Sequence, residues 1–89
     1  MKLQTDRITN LNAGTVVEAG AAAIRGGDCT IDFSGVQRCD TAALACVLAW
    51  TRIAQAAGRK LSLIAVPRDL VSLSQLYGVD HLLGAAGPA

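Results

Sequence analysis

Eighty-nine residues suit one domain, because two hydrophobic cores within this length would each be too small to hold together. An apolar fraction of 52% excludes intrinsic disorder, and an aromatic fraction of only 3% (Phe33, Trp50 and Tyr77) leaves a core of small and aliphatic side chains. A formal net charge of +1 with no basic block gives no electrostatic footprint for nucleic acid and no polybasic reason to sit on anionic lipid.

In chain order, Lys2 to Thr5 reads as a short strand. A helix follows from about Ala13 to Arg25, with Val16, Val17, Gly20, Ala23 and Ile24 facing a sheet and Gly26-Gly27 as its stop. The clearest strand is Cys29 to Phe33. Its alternation sets Cys29, Ile31 and Phe33 on one face and Thr30 and Asp32 on the other, and Ser34-Gly35 supplies turn chemistry. The longest helical pattern runs from Thr41 to Ala57. Leu44, Val47, Leu48, Thr51 and Ala54 recur as one broad inward stripe, Asp40 or Thr41 supplies the N-cap, and Gly58 stands at the C′ position. On another face, Ala42, Ala45, Ala49, Arg52 and Ala56 form a nearly flat strip. It reads either as exposed alanine favoured for helix propensity or as a surface into which a partner packs.

Leu61 to Val66, apolar apart from Ser62, reads as a strand covered on both faces. Pro67 opens a shorter helix with Asp69 in its first turn; Leu70, Leu73, Leu76 and Tyr77 make its buried stripe, and Gly78 ends it. Val79 to Leu83 adds a short edge strand or turn. Residues 84–89 carry no packing signal and are expected to form a disordered tail behind a single domain over residues 1–83.

Alternating strands and helices point to an α/β layer with right-handed crossovers and an at least partly parallel sheet. Ligands of such sheets bind at the carboxyl ends of strands near helix N-termini, which directs attention to Ser34 to Thr41. Thr41 brings a hydroxyl to a helix start, where unpaired N–H groups and the dipole favour an added phosphate. Asp40 would repel that phosphate, whereas Arg38 and the N–H groups would tolerate it. The other reading makes Asp40 and Thr41 plain cap residues, worth about 1 kcal/mol of helix stability.

Catalysis has little to work with. The one histidine, His81, would have to carry any metal cluster or Ser-His-Asp arrangement alone, and is expected to be solvated or interfacial. Cys29, Cys39 and Cys46 lack CxxC spacing and suggest neither a disulfide framework nor a zinc site; Cys29 and Cys46 read as small buried hydrophobes. Cys39 beside Asp40 is the only conceivable nucleophile, and a neighbouring carboxylate raises a thiol pKa. No catalytic residue, metal or cofactor is therefore expected, and the chain is not read as an enzyme. The longest apolar run, Ala42 to Trp50, is well short of the roughly 20 residues of a membrane span, and Met1 to Arg7 has no signal-peptide core. A cytoplasmic placement is expected.

Thr30-Ile31-Asp32-Phe33-Ser34-Gly35-Val36, followed by Cys39-Asp40-Thr41-Ala42-Ala43-Leu44, resembles the signature of the STAS domain, in which a strand ending in Asp-Leu-Ser leads to an Asp-Ser/Thr helix start. That family includes bacterial anti-sigma factor antagonists, the tails of sulfate transporters, and the MlaB subunits of Mla phospholipid-transport ABC complexes. The Asp-Thr start, and Leu73-Ser74-Gln75-Leu76-Tyr77-Gly78-Val79-Asp80-His81-Leu82-Leu83, are similar to the MlaB branch. The resemblance spans about Leu3 to Leu83, with two departures. Ala42 and Ala43 stand where the family carries glycine, which removes backbone freedom beside Thr41. The family's usual first strand is also missing, so Leu3 to Thr5 correspond to the second and leave a sheet edge open to pairing or to a homodimer.

The resemblance implies a STAS fold, a small mixed or parallel sheet with helices packed on it. It implies a non-enzymatic subunit that binds and supports the cytoplasmic ATPase (MlaF-like) of an Mla-type ABC transporter maintaining outer-membrane lipid asymmetry. Such a subunit would be peripheral to the inner membrane through the complex, without inserting into it. The implied contact surface is Thr41 with Asp40, Arg38 and the strip Ala42, Ala45 and Ala49, which on this resemblance becomes interfacial. The family also offers an alternative, an anti-sigma factor antagonist bound by a kinase that phosphorylates Thr41.

Overall fold

Two pairs of parallel strands and three helices make up residues 1–79, which the computed structural model describes. In chain order they are β1 (Arg7–Ile8), α1 (Ala13–Arg25), β2 (Thr30–Asp32), β3 (Arg38–Cys39), α2 (Thr41–Ala56), β4 (Ser62–Ile64) and α3 (Arg68–Leu76). β2 pairs β4 with Thr30 opposite Ser62, Ile31 opposite Leu63 and Asp32 opposite Ile64; β1 pairs β3 with Arg7 opposite Arg38 and Ile8 opposite Cys39. On the other side of β2, the Leu3 N–H donates to the Asp32 carbonyl at 3.0 Å and the Asp32 N–H donates to the Met1 carbonyl at 2.9 Å. The result is the expected mixed α/β arrangement.

Two features of this frame differ from the sequence reading. The strand expected over Lys2 to Thr5 is a single bridge between Lys2 and Asp32, because the chain bends at Asp6 to enter β1. The connection from Ser34 to Thr41 also contains a strand, β3, which β1 completes. Two-residue strands are too short for alternation to reveal, and each exists through the other. The turn after β2 is the expected one: Asp32 Oδ1 accepts from the Ser34 N–H at 2.8 Å, and that bond holds the Asp32 carboxyl below its ordinary range.

The helices contact one another in the order α1, α2, α3 and so form one layer against one face of the sheet. Ile31, Phe33 and Leu63 point into this layer. β4 is thus covered on one face only, contrary to the reading of Leu61 to Val66 as buried on both: Ser62 is exposed and Ile64 is 45% exposed. Trp50 fills the middle of the core, edge-on to Phe33 with ring centroids 6.1 Å apart. Its indole N–H donates to the Val17 carbonyl at 3.1 Å, so the largest buried side chain leaves no polar atom unpaired.

α2 buries Ala43, Leu44, Cys46, Val47, Trp50 and Ala54. The expected stripe therefore holds at Leu44, Val47 and Ala54, while Thr51 is half-buried and Leu48 is exposed. α2 lies between α1 and α3, and Trp50 turns its buried face toward α1. α3 departs further: among the described residues it packs on α2 and, more lightly, on β3. Leu70 is buried, Leu73 is half-buried, and Leu76 and Tyr77 are 76% and 59% exposed. Ser74 is buried instead, its hydroxyl donating to the Val71 carbonyl at 2.7 Å. Pro67 is the N-cap of α3 rather than its first helical residue.

Glycine ends α2 where expected, Gly58 taking a φ of 69°. Ala65, just after β4, takes a φ of 54° without that freedom. A left-handed alanine costs about 1–2 kcal/mol, partly offset by its smaller unfolded-state entropy. Ala65→Gly is therefore expected to raise stability by up to about 1 kcal/mol, read as a higher urea midpoint at unchanged slope. A lower midpoint would show that Ala65 is not strained. Asp80 to Ala89, with His81, most of the expected last strand and the tail, lie outside the described residues.

Candidate functional site

The start of α2 is built by three elements. The Asp40 N–H donates to the Ile8 carbonyl at 3.2 Å, tying the helix entry to β1. With its backbone extended, Asp40 turns its side chain onto the helix, and Oδ1 accepts from the Ala42 N–H at 2.8 Å. Asp40 is thus the cap, and Thr41 is left as the first helical residue, exposed, with its hydroxyl in no hydrogen bond among the described residues.

Two shallow open hollows meet at Thr41. One lies between the start of α2 and the first turns of α3, lined by Cys39, Asp40, Thr41, Asp69, Ser72 and Leu73. The other runs along α2 toward the end of α3, lined by Thr41, Leu44, Ala45, Leu48, Tyr77 and Val79, and is almost wholly apolar. Of the expected strip, Ala45 is exposed and lines this second hollow, whereas Ala42 and Ala49 are half-buried. Arg38 is exposed at the start of β3. The structure therefore brings Thr41 together with Asp40 in the first hollow and with Ala45 in the second, and Arg38 lines neither.

Leu48 and Tyr77 belong to this surface although the sequence reading placed them inside. A signal for Leu48 existed: positions 41, 45 and 48 share one helical face, so any outward Thr41 carries Leu48 with it. Asp69 and Ser72 reach the site only through the packing of α3 on α2, which no local pattern encodes.

The thiols nearby are poorly suited to attack. Burial, then the carboxylates of Asp69 and Asp40, pushes the Cys39 thiol up to about 11. Burial, and to a smaller degree Asp40, pushes Cys46 up to about 11 as well. Both are protonated at neutral pH, when the thiolate is the nucleophilic form. Cys46 is fully buried, as expected, and Cys29 half-buried. Among the described residues no helix is long and apolar enough to cross a membrane.

A small α/β layer offering an exposed hydroxyl where two hollows meet, one of them almost wholly apolar, has the makeup of a binding domain. The profile of the family described as Mlab, STAS domain matches residues 3–84, and the chain belongs to that family. STAS domains are generally non-enzymatic binding and regulatory domains. No curated protein matches the chain.

Proposed function

We propose that this STAS domain is the MlaB-type subunit of an Mla-type phospholipid-transport ABC complex, binding and supporting its ATPase at the cytoplasmic side of the inner membrane. The observation that carries the reading is the state of Thr41. Asp40 already caps α2, so the Thr41 hydroxyl is left without a hydrogen bond among the described residues, and it stands exposed where two hollows meet. The match to the MlaB-type family profile points the same way. In this arrangement an apolar side chain of the ATPase fills the hollow beside Ala45 and Leu48, and the Thr41 hydroxyl makes a short hydrogen bond at its rim. The domain performs no chemistry; it braces the ATPase surface it covers.

The exposed hydroxyl also supports a second reading, an anti-sigma factor antagonist phosphorylated at Thr41. Against it, Asp40 and Asp69 line the same hollow and would repel a phosphate.

Co-purification with the ATPase subunit tests the proposal. Thr41→Glu, which forces a charge into a desolvated contact, is expected to weaken binding about tenfold or more, and Thr41→Ala less. Equal recovery of wild type and the Glu variant would overturn it. Incorporation of one phosphate from ATP by an anti-sigma kinase, lost in Thr41→Ala, would establish the second reading instead.

A further inference from the structure

Residues 1–4 run along β2 and turn their other edge to solvent. The Leu3 N–H and the Met1 carbonyl face β2, where both pair with Asp32. A Cβ at Gly35 would stand 3.8 Å from the Leu3 carbonyl oxygen and 4.0 Å from that of Thr5, so residues 3 and 5 face the same way. Extended backbone alternates, and the N–H and carbonyl groups of Lys2 and Gln4 therefore face outward. Among the described residues no backbone group pairs with them, and the Lys2 carbonyl accepts only a weak 3.3 Å bond from the Gln4 side-chain amide. Between this edge and α1 lies a mainly apolar hollow of about 310 Å³, lined by Met1, Leu3 and Thr5 on one side and Thr15, Val16 and Ala19 on the other. It occupies the place where the inward side chains of one more strand would sit. Leu11, next to Asn12 at the rim of the hollow, is 92% exposed, and Thr15, Ala19 and Ala22 are exposed on the same face of α1.

We propose that a second copy of this chain adds its own residues 1–5 to this edge in antiparallel sense, making one sheet across a two-fold axis that passes between the two Leu3 residues. The edge is complementary to its own inverted copy. With Lys2 opposite the partner's Gln4, and Gln4 opposite the partner's Lys2, every outward N–H meets an outward carbonyl. This register sets each lysine against a glutamine, whereas Lys2 opposite the partner's Lys2 would oppose like charges. Strands about 4.8 Å apart bring the two hollows together beneath the joined sheet. α1 starts beside Thr5, where the Asn12 side-chain amide donates to the Arg7 carbonyl at 2.9 Å, and runs back along the segment. The two-fold axis therefore carries each exposed Leu11 toward the small side chains of the partner's Ala19 and the partner's Ala22. Five edge residues and one stripe of α1 fall short of the roughly 20–30 residues a side of standard interfaces, which sets a weak dimer, half-dissociated at about 10–100 μM. The hollow shares no lining residue with those at Thr41, so both Thr41 surfaces stay free.

Sedimentation equilibrium of the 89-residue chain from about 1 μM to about 500 μM is expected to show the mass doubling over that range. The Gln4 amide should exchange its hydrogen about tenfold or more slowly at the high concentration, while the Leu3 amide, already bonded to Asp32, changes less. Leu11→Asp and Ala19→Glu, both at exposed positions, are expected to weaken association about tenfold or more and to leave the melting temperature of the dilute chain near wild type. Thr41→Glu should associate as wild type does. A chain that stays monomeric at about 500 μM would overturn the inference. So would a dimer that both α1 variants leave intact, or one in which the Gln4 amide exchanges as fast as in the monomer. Loss of the dimer in Thr41→Glu would overturn it too, by placing the two copies at the Thr41 hollows.

Discussion

Gly20→Ala is expected to destabilise the domain by about 1–3 kcal/mol, although alanine is the better helix former by about 1 kcal/mol. Gly20 is buried in the middle of α1, where that helix crosses the indole of Trp50. A Cβ at this position would stand 2.8 Å from Cζ2 of Trp50 and closer still to Cε2 and Nε1. The ring cannot simply retreat. It is fully buried, edge-on to Phe33, and its N–H is held by the Val17 carbonyl on the same helix. Gly14 is the matched control, since a Cβ there meets nothing within 4 Å, and Gly14→Ala should be neutral or stabilising by up to about 1 kcal/mol. For a domain of this size each kcal/mol moves the melting temperature by about 4–8 °C, so the two variants should melt on opposite sides of wild type. The Gly20→Ala penalty should shrink in a Trp50→Phe background, because the smaller ring vacates the space; that non-additivity identifies the contact itself. If Gly20→Ala melted as high as Gly14→Ala, the close approach of α1 to Trp50 would be wrong.

The same contact shows which parts of the fold local pattern can carry. The bounds of α1 are legible because periodicity and the Gly26-Gly27 stop are properties of the segment alone, and the observed helix is Ala13–Arg25. α2 is legible in extent for the same reason, from its Asp40 cap to Gly58. The face a helix buries is different, since it depends on how many neighbours the helix has. α2 touches helices on both sides and buries a wide face that takes in Ala43, Cys46 and Trp50. Among the described residues α3 packs chiefly on α2 and leaves Leu76 and Tyr77 to solvent. An apolar count alone would bury all of them. β1 and β3 were invisible because each two-residue strand is a product of pairing at long range. At the site, Thr41 and Asp40 were readable from the strand-to-helix junction, although their division of labour needed the hydrogen bond to Ala42. The apolar half of the site was hidden by the very property that makes it useful: Leu48 and Tyr77 look like core residues and lie outside it.

Leu48→Asp is accordingly expected to separate surface from core. Leu48 is 37% exposed, so an aspartate there keeps its carboxylate in water and costs about 1 kcal/mol in lost packing and helix propensity. Val47, its neighbour in sequence, has no exposed surface, and Val47→Asp must either bury an unpaired charge or open the core. That variant should lose several kcal/mol and fail to melt cooperatively, whereas Leu48→Asp should unfold as a single transition near wild type. Binding should follow the opposite logic. The apolar hollow beside Thr41 contains Leu48, so a charge at that position is expected to weaken the ATPase complex by about tenfold to a hundredfold in a domain that remains folded. Circular dichroism and co-purification on the same preparations decide between the alternatives. Collapse of Leu48→Asp alongside Val47→Asp would return Leu48 to the core, where helical periodicity first placed it, and the hollow would be a packing seam. A folded Leu48→Asp that still binds the ATPase as wild type does would move the partner elsewhere. A folded variant that has lost the ATPase is the outcome that joins Leu48 to Thr41, two turns apart on one face of α2, as parts of a single contact.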